Sequence, residues 1–130
     1  MSYLDTETFI YSTLSTDADL LALIGDSDHI SASYPENFEK ITVWPYIIFR
    51  EEGQEDREFA DNKPTASGSS YVIDIYVKEG DTYPIAKVIH DIFMNIFWTC
   101  EYSSDVPDPD IMVRHRVMRF KRLLFAGDLL

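Results

Sequence analysis

Residues 69–93, SSYVIDIYVKEGDTYPIAKVIHDIF, change their hydrophobic period once, at KEGD, and that change decides the fold. From Tyr71 to Lys78 the side chains alternate: Tyr71, Ile73, Ile75 and Val77 point one way, and Val72, Asp74, Tyr76 and Lys78 the other. A period of two is that of a strand, here with one buried face and one half-wet face. After Gly80 the period lengthens. Ile85, Val88, Ile89, Ile92, Phe93, Ile96 and Phe97 fall on one broad face of a helix written DTYPIAKVIHDIFMNIFWTC. Asp81 or Thr82 can cap it, and Pro84 sits in the first turn, where its missing N–H costs nothing. At roughly 1.5–3 kcal/mol per fully buried side chain, this helix is expected to be the largest single contributor to the core.

Toward the N-terminus, WPYIIFREE (44–52) predicts a second strand, with Pro45 at its start because proline cannot donate to a ladder. DTETFIYSTLS (5–15) predicts a helix, with Phe9, Ile10 and Leu14 on one side and Asp5 and Glu7 at the positive end of its dipole. TDADLLALIG predicts a shorter one, capped by Thr16, striped by Leu20, Leu23 and Ile24, and stopped by Gly25. A short extended piece is expected around Ile30 to Tyr34. Between the two strands, GQEDREFADNKPTASG (53–68) reads as a long loop of the kind that is functional or mobile.

Toward the C-terminus, EYSSDVPDPD (101–110) reads as a turn-rich connection. IMVRHRVMRFKRLLF then alternates, with Ile111, Val113, His115 and Val117 on one side and Arg114 and Arg116 on the other. A bulge or bend at Val117–Met118 would account for the change of phase there. Together these elements predict one domain over residues 1–130, of the α+β class: two layers, a mainly antiparallel sheet with helices packed on one face. There is no internal repeat.

Composition narrows the function classes. With 45% hydrophobic and 26% charged residues the chain is globular, not disordered. The formal net charge of -12 argues against a general nucleic-acid binder, which needs a basic footprint, but suits a wall that DNA slides past. Cys100, the single cysteine, excludes an internal disulfide and fits a reducing compartment. MSYLDTETF is not a secretory signal, and IFMNIFW (92–98) is too short to span a bilayer, so a soluble intracellular protein without a membrane partner is expected.

No constellation carries chemistry. Cys100 and the histidines His29, His90 and His115 are dispersed; Cys100, beside Trp98, reads as a packing thiol and His90 as a solvated helix residue. Asp105, Asp108 and Asp110 lack the glycine and the bidentate glutamate of a calcium loop. Gly53, Gly68 and Gly80 are isolated, so no loop cradles a phosphate. No enzyme, metal or cofactor is expected.

Charge is what the sequence distributes unusually. Five of the eleven Lys and Arg residues (Arg114, Arg116, Arg119, Lys121 and Arg122) lie within nine positions, with no acid among them. Six acids and one base, Arg57, lie between Glu51 and Asp61. Each stretch has a bland reading, a cation-defended strand edge and a solvated loop. Together they predict an interface with another copy or with a partner, unless the cations meet acids of their own chain: Glu51, Glu52, Glu55, Asp56, Glu58 and Asp61, with Phe59, on one side and Arg114, Arg116, Arg119, Lys121 and Arg122 on the other. Head-to-tail contacts of that kind give a ring where they close. Charges would set its register and aromatic anchors its affinity.

The order STLSTDADLLALIGD, a short extended piece, WPYIIF, a long variable stretch, then SSYVIDIYVKEGDTYPIAKVIHDIF resembles the tail terminator, or tail completion, proteins of long-tailed bacteriophages. The resemblance covers residues 9–125, rests on hydrophobic pattern and turns, and includes RHRVMRFK as the last strand. It implies a structural protein of the virion, assembled in the bacterial cytoplasm, that forms a ring, commonly a hexamer, on the head-proximal end of the tail tube. Such a ring stops tube polymerisation, joins the head connector or stopper protein, and lets DNA through without binding it specifically. A neck or head-closure protein of the same junction is the nearest alternative. An acidic mimic of DNA that inhibits a host DNA-binding enzyme is the alternative from another class.

Overall fold

A computed structural model describes residues 6–32, 44–60, 63–106 and 113–125; for 54–60, 63–67, 124 and 125 it describes the backbone alone. The elements in chain order are α1 (Thr6–Ser15), α2 (Ala18–Ile24), β1 (Ile30–Ser31), β2 (Tyr46–Ala60), β3 (Lys63–Val77), α3 (Tyr83–Asn95), β4 (Thr99–Val106) and β5 (Arg114–Phe125). The strands form one sheet in the order β1-β2-β3-β5-β4. β1 runs parallel to β2, and the β2–β3, β3–β5 and β4–β5 pairs are antiparallel. The fold is therefore α+β with a mainly antiparallel sheet. β3 and β4 run in the same direction with β5 between them, and α3 makes the crossover.

The core lies between the helices and the face of the sheet carrying Ile47, Phe49, Tyr71, Ile73, Ile75, Val77, Met118 and Phe120. From the helices come Ile10 and Leu14, Leu20 and Ile24, and, on α3, Ile85, Ala86, Ile89, Ile92 and Phe93. Aromatic rings join its halves. Phe93 stacks on Phe120 at 4.1 Å between centroids and meets Trp98 edge-on at 5.9 Å, and Trp98 meets Tyr71 edge-on at 5.6 Å. Edge-on and stacked pairs of this kind contribute beyond their buried area.

Local capping follows the sequence with small changes. Asp17, not Thr16, caps α2, its carboxylate accepting from the Leu20 N–H at 2.9 Å. Gly25, at φ 99°, closes that helix in the left-handed region, which glycine enters without the Cβ penalty. Leu23 is exposed, because a seven-residue helix turns only a narrow stripe, Leu20 and Ile24, to the core. Asp81 accepts from the Tyr83 N–H at the start of α3, while the Thr82 hydroxyl is turned away to other partners. The expected extended piece is short, Ile30–Ser31, and its continuation to Tyr34 lies outside the described residues, as does Asp5.

Five expectations are corrected. First, α3 ends at Asn95, not Cys100, and Phe97 is 78% exposed rather than part of the helix face. The Trp98 N–H bonds back to the Phe93 carbonyl at 2.9 Å and the Phe97 N–H to that of Met94 at 3.1 Å, with Phe97 at φ 69°. This is a Schellman closure, and the Phe93–Trp98 contact is the hydrophobic pairing that goes with it.

Second, residues 99–106 form an edge strand where a turn-rich connection was expected. Its residues are mostly exposed, so no hydrophobic period marked it; Pro107 to Asp110 lie outside the described residues.

Third, most of the stretch 53–68 is ladder, not loop. β2 and β3 stay paired to Ala60↔Lys63, with a bulge between Glu51 and Gly53 that breaks the alternation on which a strand is read.

Fourth, β5 has no bulge at Val117–Met118, since its register with β3 runs unbroken from Val77↔Arg114 to Ala66↔Phe125. The phase shifts there because both faces of β5 carry apolar residues. Nor is it a cation-defended edge, because it is paired on both sides.

Fifth, the second face of β3 is not half-wet. Val72, Asp74 and Tyr76 are buried together with Ile48, and only Lys78 is exposed. His115 stacks on Tyr76 at 4.3 Å and its Nε2 lies 2.7 Å from the Asp74 carboxylate.

Candidate functional site

The residues predicted to make contacts, Asp61 apart, lie on two lengths of strand, and the pleat divides them. Successive side chains alternate, so Arg114, Arg116 and Arg122 project from the helix face of β5, with Met118 and Phe120, while Arg119 and Lys121 project from the other. The five cations do not make one patch.

Arg116 is held within its own chain. Its Nε donates to the Thr82 hydroxyl at 3.0 Å, its Nη1 to the Ser103 hydroxyl at 3.1 Å, and its Nη2 lies 3.4 Å from Asp105. The Thr82 hydroxyl in turn donates to Asp105 at 2.9 Å. One arginine thus ties the N-terminus of α3 to the edge strand β4. Arg119 donates to Glu52 at 2.9 Å, joining one predicted cation to one predicted acid across β3. Arg122 lies over the exposed Phe97 ring, 6.0 Å from its centroid, a cation–π arrangement.

Among the acids, Glu51 projects to the helix face, where the Thr6 hydroxyl donates to it at 3.1 Å. Glu55, Asp56, Glu58 and Phe59 lie on the outer part of β2, where the backbone alone is described, and Asp61 lies outside the described residues. That outer part is an arm. Tyr71 is the outermost β3 residue of the hydrophobic core, Gly68 and Ser69 are still buried, and β3 reaches on from Gly68 to Lys63, a distance of about 17 Å at the rise of an extended chain. β5 accompanies the arm as far as Ala66↔Phe125; beyond that, among the described residues, β2 and β3 are paired only with each other.

The remaining candidates are accounted for. Cys100 packs beside the core on β4, its Sγ 3.5 Å from the Tyr102 carbonyl. Asp105 is taken up by Thr82 and Arg116, and Asp108 and Asp110 lie outside the described residues. Among the described residues no three His, Cys, Asp or Glu side chains gather as metal ligands, and no helix is long and apolar enough to cross a membrane. The sequence reading missed Ser103 and the joint role of Thr82 and Asp105, which depends on β4 lying beside β5. Thr82 was considered only as a cap and Asp105 only as a metal ligand.

The fold defines a class: a two-layer α+β domain with a mainly antiparallel sheet. No family model and no curated protein matches the sequence. The fold is similar to that of a chain in a solved structure of the virion of a native gene transfer agent particle, with a TM-score of 0.64 and 12% identity, over 90% of this chain and 92% of that chain. At that identity the likeness is one of fold.

Proposed function

We propose that this chain is a structural protein of a phage-like virion that caps the head-proximal end of a tail tube as a ring, a hexamer by the family it resembles. It stops tube growth, contacts the tube protein on one side and the connector or stopper protein on the other, and leaves a passage for DNA. It performs no reaction. The observation that carries this reading is the likeness of fold, over 90% of this chain, to a chain of the gene transfer agent virion. The feature order of the sequence points the same way. The arm supplies a physical means, since it reaches beyond the core and its outer β2 strand carries Glu55, Asp56 and Glu58 against Arg57.

The ties of Arg116 to Asp105 and of Arg119 to Glu52 give the basic strand a use that a mimic of DNA does not need. Electron microscopy of particles made without this gene tests the role. Tails of abnormal length that fail to join heads are expected; tails of normal length that still receive heads would overturn it. Normal-length tails that only fail to join would assign the chain to head closure instead.

A further inference from the structure

Beside α3 runs a groove of about 400 Å³, walled by that helix and by strands β4 and β5. Ala86 and Met118 give it an apolar side, and Lys87, His90, Ser103 and Arg116 give it donors. Tyr83, 60% exposed, stands beside it as a large amphipathic side chain of the kind enriched at protein contacts. Arg116 is pre-set there: three of its five N–H groups engage Thr82, Ser103 and Asp105, and its side chain is only 15% exposed.

Arg116 is already paired with Asp105, so Lys87 and His90 are the donors that the groove offers an incoming carboxylate, and Asp91 is the acid beside them. Asp91 is the internal counter-charge. Hydrogen bonds from His90 and then Lys87 hold its carboxyl below the usual range, but both contacts are 3.4 Å long and solvent-exposed. An incoming carboxylate can share those donors without a buried pair being broken.

We propose that this groove receives the acidic β2–β3 arm of a second copy of the chain. Charge selects that occupant, because the outer part of β2 carries Glu55, Asp56 and Glu58 against Arg57. Its backbone gives a second reason. A two-stranded ribbon is marginally stable alone in water, so the outer arm gains from packing on another surface. Arm and groove are different surfaces of one chain, so the contact is heterologous and propagates from copy to copy until it closes. The proposal rests on the ring reading above and names the contact that builds the ring.

The test is sedimentation velocity over a concentration series at low salt, with circular dichroism to verify that each variant is folded. Lys87→Glu with His90→Glu reverses the groove, and Glu55→Lys with Glu58→Lys reverses the arm. Arg116 is left intact because it ties α3 to β4. Each pair of substitutions is expected to weaken association at least tenfold, and the four together to restore it to within about threefold of the unsubstituted chain. A groove variant that associates like the unsubstituted chain overturns this contact and leaves the ring reading standing. An unsubstituted chain that stays monomeric throughout overturns the ring reading and this contact with it.

Discussion

Arg119 on β5 and Glu52 on β2 meet at 2.9 Å although β3 lies between their strands. The side chains bridge over the sheet face opposite the helices, at exposures of 47% and 38%. A pair this open is screened and ordered at an entropic cost, so its contribution is about 0–1 kcal/mol. A double-mutant cycle of Arg119→Ala and Glu52→Ala, read by urea denaturation, is expected to return a coupling in that range.

The Asp74–His115 contact on the same side of the sheet is different, because Asp74 is buried. Asp74→Ala leaves the imidazole without its acceptor and opens space beside Tyr76. A loss of about 1–3 kcal/mol is expected, the usual effect of a partner removed from a buried polar group. Asp74→Asn keeps an acceptor oxygen and should cost less. Denaturant midpoints of the two variants check the order.

Phe97 sits at φ 69° with its ring largely in solvent. The left-handed conformation costs an L-residue roughly 1–2 kcal/mol, and glycine escapes that penalty while losing more chain entropy on folding. Phe97→Gly is therefore expected to leave stability unchanged or raise it by up to about 1 kcal/mol. Trp98→Ala, one residue on, removes a fully buried ring packed on Phe93 and Tyr71 and should cost about 3–5 kcal/mol. Thermal unfolding of the two neighbours separates the strained turn from the core it closes.

Asp17 caps α2 through the Leu20 N–H. Asp17→Ala is expected to destabilise by about 1 kcal/mol and Asp17→Ser by much less, since serine supplies the same acceptor. Amide hydrogen exchange at Leu20 and Leu21 localises the effect to that helix.

Much of this architecture was legible from residue to residue. The switch from period two to a helical period at KEGD places β3 and α3, because each period is set by the local backbone and the side chains facing the core must follow it. Gly25 and Pro84 punctuate helices for equally local reasons. What the chain did not show, tertiary structure decided. β4 and the arm are held by ladder hydrogen bonds, which backbone groups make whatever their side chains, so their polar residues left no period to read. The division of the five cations between two faces, the tie of Arg116 to Thr82 and Asp105, and the burial of the second face of β3 depend on which strands become neighbours. That is a matter of pairing between residues distant in the chain. A single sequence records the preference of each side chain for a face, and only the assembled sheet says what stands opposite it.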